Sequence, residues 1–174
     1  MINKIANTFV CVMIATIAFA QTAARPDVPQ SLKAADNERL SLVAHASGVQ
    51  VYTCQPEPEG KYAWTLKGPE ADLRDDRGSV IGRHYEGPTW QHMDGSSVVG
   101  KLVARVDSPD PNSVPWLLLN AAGHSGNGVF SNVTSIQRVH TRGGQPPTTD
   151  HCDASTQGNE VQSKYTADYY FYTK

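Results

Sequence analysis

Beyond residue 20, this 174-residue chain has no long apolar run, no cluster of basic residues and no closely spaced pair of cysteines. Each absence excludes something. A membrane-spanning helix needs ~20 consecutive apolar residues, so the chain after residue 20 offers no transmembrane segment. Scattered Lys and Arg do not build the basic face that nucleic acid requires, so no nucleic-acid partner is expected. No cysteine has a second one within five residues, which removes the zinc-type pair. No repeat of 20–50 residues marks a propeller or solenoid. No strand–G-x-G-x-x-G–helix unit is present, so a dinucleotide-binding fold is excluded. No long stretch carries convincing helical periodicity.

The N-terminus has what the rest lacks. After Met1 to Lys4, the residues from Ile5 to Ala20 are apolar apart from Asn7 and Thr8, and Ala18-Phe19-Ala20 fits a small-x-small cleavage site. Residues 1–20 therefore read as a secretory signal peptide. The apolar core, Phe9 to Ala20, is 12 residues, too short to cross a bilayer of ~30 Å comfortably. Cys11 sits inside that run rather than at a cleavage boundary. The expected localisation is secreted or periplasmic. Removing residues 1–20 leaves 154 residues, with 14 Lys+Arg (15 less Lys4) against 17 Asp+Glu, a net −3. Two cysteines remain, Cys54 and Cys152. An even count in an oxidising compartment predicts a disulfide between them. A loop near 100 residues closed in this way is worth ~4.7 kcal/mol on the chain-entropy model.

Residues 21–39, with Pro26 and Pro29, read as an extended lead-in, and residues 40–174 as a single all-β domain. Leu40, Leu42, Ala44 and Ala46 alternate with other residues, Gly48 breaks the run, and Val49 to Cys54 alternates again. This reads as strand–turn–strand. Further strands are expected over 62–66, 79–85, 89–93, 97–107, 115–122, 130–142 and 161–173. Asp75 to Gly78, Gly87-Pro88 and Asp94-Gly95 supply turn chemistry between them. The run Pro115 to Ala122 is apolar at nearly every position, the pattern of a strand buried on both faces. The sum is nine or ten short strands, an antiparallel β-sandwich or barrel.

Candidate chemistry concentrates in Gly82 to Lys101, which holds His84, His92, Glu86, Asp94, Tyr85 and Trp90. Rigid aromatic faces with polar neighbours suit ligand binding, so Arg83, His84, Tyr85, Glu86, Trp90 and Gln91 are the candidate contacts for a small molecule or glycan. Trp64 and Trp116 are further aromatic faces, and Trp116, within its apolar run, reads as core. The alternative is a hydrolase or metal-dependent enzyme drawing on His84, Glu86, Asp94 and His124. His84 and Glu86, two apart, share a face of a strand. With His124 they form a candidate imidazole–carboxylate set of the kind that holds Zn or Cu. A solvated strand face is the commoner reading of such pairs, and no cofactor is expected. Gly123-His124-Ser125-Gly126-Asn127 falls one glycine short of a nucleophile elbow, and no helix follows it. A third reading is a structural envelope or surface protein. Arg138, after an apolar residue, is expected to pair with Asp168 inside the fold rather than to bind a ligand.

Several blocks together resemble a known family. They are Gly48 to Cys54, Pro69 to Leu73, Gly82 to Lys101, Pro115 to Leu119, Ile136 to Arg138 with Thr141 to Gly144, and Tyr165 to Phe171. The chain resembles an uncharacterised secreted family of bacteria and fungi, catalogued as a domain of unknown function. The resemblance implies no catalytic residues. Some relatives carry a malate dehydrogenase label, which the absence of a βαβ dinucleotide unit contradicts for this chain.

Overall fold

A computed structural model describes residues 24–148 and 151–174. Eight antiparallel strands follow one another around a closed barrel: β1 (Arg39–Pro56), β2 (Tyr62–Arg74), β3 (Val80–Tyr85), β4 (Thr89–His92), β5 (Ser97–Val106), β6 (Trp116–Ser125), β7 (Val133–Gly143) and β8 (Glu160–Thr173). Each strand pairs with its neighbour in sequence, and β8 returns to β1, with Arg39 opposite Thr173 and Thr53 opposite Glu160. Closure leaves no strand without two neighbours, although residues 62–70 of β2 have no strand partner on the β3 side and residues 101–106 of β5 none on the β4 side. Among the described residues, the helical elements are two short 3-10 turns, Gln30–Leu32 and Pro58–Gly60. The expected signal peptide lies outside the described residues.

The all-β class holds, and of the two expected architectures the chain forms the barrel. It does so with eight strands instead of nine or ten. The miscount arises at Gly48, read from sequence as a turn. Leu40–Ala46 and Val49–Cys54 are halves of one strand, and Gly48 pairs with Ala71 on one side and Tyr165 on the other. Glycine is there because β2 passes close by. A Cβ at residue 48 would stand 2.1 Å from the Glu70 carbonyl oxygen and 2.5 Å from the Ala71 Cα.

Alternation along each strand sorts side chains into barrel interior and outer wall. Ala44, Ala46, Leu73, Trp90, Val98, Phe130, Ile136, Tyr169 and Phe171 form the interior cluster. Phe130 and Phe171 are in ring contact, centroids 4.6 Å apart, and Trp90 meets Phe171 edge-on at 6.1 Å. The outer wall carries exposed Arg39, Arg83, Lys101 and Lys164. That is the reverse of a lipid-facing barrel, whose outward band is apolar. Among the described residues, no helix is long and apolar enough to cross a membrane.

A second apolar cluster lies outside the barrel. Val28 and Leu32 of the lead-in pack on Leu118 and Val139, with Trp116 and Tyr170 alongside. This cover explains the apolar run of β6. Leu117 and Leu119 belong to the interior cluster, while Trp116 and Leu118 meet the lead-in. The first half of the strand, Trp116 to Leu119, is therefore covered on both faces, as its composition predicts, whereas Asn120 and Ala122 beyond it are exposed. Polar contacts fix the cover: the Gln137 side-chain amide donates to the Leu32 carbonyl at 2.6 Å, and the Ser135 hydroxyl donates to the Glu38 carboxylate at 2.8 Å. Arg25 donates to the carbonyls of Ala34 and Glu38 and lies over the Tyr172 ring.

Cys54 and Cys152 are disulfide-bonded, 98 residues apart in sequence, as expected. Cys54 follows Thr53, the last residue of β1 that pairs with β8, and its backbone bonds to Gly158 and Asn159 at 2.9 Å each. The bridge thus ties the connection between β7 and β8 to one end of the barrel.

Candidate functional site

The segment from Gly82 to Lys101 is split by the pleat. Its register places His84 opposite Trp90 and Arg83 opposite Gln91. His84 and Trp90 point into the barrel, 3% and 1% exposed. Arg83, Tyr85 and Gln91 are on the outer wall, where they line a shallow depression with Glu70 and Asp72. The expected ligand contacts are therefore an inner pair and an outer trio, separated by the sheet. Glu86 is exposed, in the turn beyond β3.

The inner pair stands at the wall of a cavity of about 490 Å³, within the size range of small-molecule sites. This cavity occupies the end of the barrel that carries the disulfide. Its deep wall includes His84, Trp90, Leu119, Arg138 and Tyr169, and its rim includes Leu66, Lys67, Pro88, Leu102, Arg105 and Gln145. Leu66 and Leu102 are large apolar side chains left 51% and 55% exposed. The opposite end of the barrel is filled by the Phe130–Phe171 group.

Trp90 takes its place because residue 100 has no side chain. A Cβ there would meet the indole ring at 2.9 Å and Leu119 at 3.0 Å. The His84 imidazole stacks on the indole, and the Tyr169 ring meets both edge-on, 5.0 Å from His84 and 5.3 Å from Trp90. His84 Nδ1–H donates to the Thr89 carbonyl at 2.9 Å, which leaves Nε2 as the ring's acceptor. Burial drives the His84 pKa down to about 3, assisted by the Arg138 charge and opposed by the Thr89 bond. The imidazole is neutral at physiological pH.

Several buried polar groups here have no hydrogen-bond partner: Gln50 Nε2, Trp90 Nε1 and the hydroxyls of Tyr165 and Tyr169. Burial raises the pKa of both tyrosines. The two hydroxyls are each other's neighbours, and that of Tyr169 also lies beside the Arg138 guanidinium, without full hydrogen-bond geometry. Buried polar groups are nearly always satisfied in folded proteins, so an unsatisfied group near a cavity calls for an explanation. The Tyr52 hydroxyl, by contrast, donates to the Gly144 carbonyl at 2.6 Å.

Arg138 was not expected in this wall. It is 9% exposed, and its Nε and Nη2 both donate to the Pro115 carbonyl, at 3.2 and 2.8 Å. Its expected partner, Asp168, is one residue out of phase. β7 pairs Arg138 with Tyr169 and Val139 with Asp168, so the carboxylate belongs to the outer wall. There it bonds His45 Nδ1 at 2.7 Å and His140 Nδ1 at 2.8 Å. The sequence does hold a signal for Arg138: a charged residue set between the apolar Ile136 and Val139.

The candidate catalytic residues do not converge. Glu86 and Asp94 are in the turns at opposite ends of β4. Asp94 organises its own turn, accepting from the Ser96 hydroxyl at 2.6 Å, the Ser96 N–H at 2.8 Å and the Val129 N–H at 2.9 Å. These bonds, led by the Ser96 hydroxyl, hold its carboxyl well below the usual range. His124 is exposed at the filled end of the barrel, bonded through Nε2 to the Val133 carbonyl at 2.8 Å. His84, Glu86 and His124 thus occupy the interior, one rim and the far end. Among the described residues, no group of three or more His, Cys, Asp or Glu side chains could hold a metal ion.

Fold and site together define a disulfide-stapled, up-and-down β-barrel with an apolar cavity at its tied end. The chain belongs to the family described as "Protein of unknown function (DUF3455)", which matches residues 34–173 and so includes every strand. No curated protein and no solved structure matches the chain.

Proposed function

We propose that this protein binds a small, largely apolar molecule inside the barrel, in the cavity walled by His84, Trp90 and Tyr169. The observation that carries the reading is the cavity of about 490 Å³ itself, with Leu66, Leu102, Leu117 and Leu119 in its lining and Arg138 at its floor. Apolar walls supply affinity, and a few polar groups supply orientation. A small molecule fits this better than a glycan. Sugar stacking requires an open aromatic face, and Trp90 is 1% exposed with His84 already stacked on it. Secretion or a periplasmic location accords with the disulfide, since such bridges persist in oxidising compartments.

The test is a titration with the neutral fluorophore N-phenyl-1-naphthylamine. Saturable one-to-one binding is expected, and Leu117→Trp, which fills the cavity from its wall, abolishes it. Linear, unsaturable uptake by the wild type, or full binding by the Leu117→Trp protein, overturns the proposal.

A further inference from the structure

We infer that the molecule bound in this cavity is an amphipathic carboxylate, its head group paired with Arg138 and its apolar body directed toward the rim at Leu66 and Leu102. The inference rests on the binding reading above and names its ligand class.

The argument begins with an uncompensated charge. A guanidinium is always protonated in proteins, and burying it without a counter-ion is costly. Arg138 is 9% exposed, yet among the described residues no carboxylate lies within 4.0 Å of it. One backbone carbonyl, that of Pro115, takes both of its bonded nitrogens. The groups that share its electrostatic neighbourhood are Tyr52, His84, Tyr165 and Tyr169, all uncharged at neutral pH.

The rest of the wall points the same way. The residues lining the cavity include Lys67, Arg105 and Arg138, and none is Asp or Glu. Lys67 is paired outside with Glu160 at 2.7 Å, and Arg105 approaches Asp107 at 4.0 Å. Arg138 is the deep cation left without an acid. Its planar fork matches a carboxylate in bidentate geometry. At the mouth, exposed Leu66 and Leu102 offer apolar surface to the remainder of the molecule. The arrangement is a charged floor under an apolar throat, complementary to a monocarboxylate with a hydrocarbon or aromatic body.

The experiment is displacement of N-phenyl-1-naphthylamine at neutral pH by octanoic acid, methyl octanoate and octan-1-ol. Octanoate is expected to compete at concentrations at least about ten-fold lower than the ester or the alcohol, a gap of about 1.4 kcal/mol. Arg138→Met is expected to bring the ratio of acid to ester competition to about one, whatever its own affinity for the fluorophore, and Arg138→Lys to retain part of the preference. The comparison of acid with ester in the wild type needs no variant, so a poorly folded Arg138→Met protein leaves the test intact. Equal competition by acid and ester overturns the carboxylate inference while leaving a neutral binding cavity. Failure of the fluorophore itself to bind overturns both.

Discussion

His84 and Trp90 lie ring on ring inside the barrel, centroids 4.3 Å apart and 5° from parallel. They face each other because β3 and β4 pair them directly across a short turn. Burial, with the Arg138 charge, holds the imidazole neutral, and that has a thermodynamic consequence.

The folded-state pKa of His84, about 3, lies below its ordinary 6.5. Between those values the unfolded chain binds a proton that the folded chain refuses. The contribution is therefore fully present above pH 6.5 and is lost as pH falls toward 3. At 1.36 kcal/mol per pKa unit it amounts to no more than about 4–5 kcal/mol. Urea unfolding of wild type and His84→Phe across this range measures it, because the phenyl ring keeps the stack and removes the titration. Parallel curves for the two proteins would show that His84 contributes no such slope.

His45 acts in the opposite sense. Its ring bridges Asp168 at 2.7 Å and Asp76 at 2.9 Å, joining β1 to β8 and to the turn after β2. The Asp168 bond first, then the Asp76 bond, raises its pKa above 6.5 against partial burial. The stabilisation is present below pH 6.5 and fades as pH rises through the raised value. The side chain is 43% exposed, so the pair is worth at most about 1 kcal/mol. An NMR titration of the His45 ring is expected to give a midpoint above 6.5 that falls in Asp168→Asn. An unchanged midpoint in that variant would remove the carboxylate as cause.

Gly48 and Gly123 make a matched pair of tests. A side chain at residue 48 collides with the β2 backbone, whereas a Cβ at residue 123 meets nothing within 4 Å. Gly48→Val is expected to cost more than about 3 kcal/mol, in the range reserved for core overpacking and backbone displacement, and Gly123→Ala to stay within about 0.5 kcal/mol. Denaturant midpoints decide the matter. Similar midpoints for both variants would mean that β1 and β2 separate without penalty.

Removing the bridge with Cys54→Ser and Cys152→Ser is expected to destabilise the barrel by about 2–5 kcal/mol. The loss should be accompanied by weaker fluorophore binding, since Cys54 ties the connection that borders the cavity end. Retained stability in the double variant under non-reducing conditions would assign the bridge no structural weight.

Much of the fold was legible. Period-two alternation, turn dipeptides and the apolar β6 run mark strands because pleat and burial act on neighbouring residues. Reading Gly48 as a break failed for the same reason: glycine spacing looks identical whether the chain turns or another strand passes close by. The site was half legible. His84 and Trp90 belong to the cavity, but Arg83, Tyr85 and Gln91 alternate with them onto the outer wall, and Glu86 lies in a turn.

Local pattern and composition settle the β class, the parity of the cysteines and the strands on which the aromatic residues sit. That β8 closes on β1, that one end of the barrel stays open, and that Arg138 faces Tyr169 instead of Asp168 emerge in the folded chain alone. Those outcomes depend on register between strands far apart in the chain. A shift of one residue turns every side chain to the other face of the sheet.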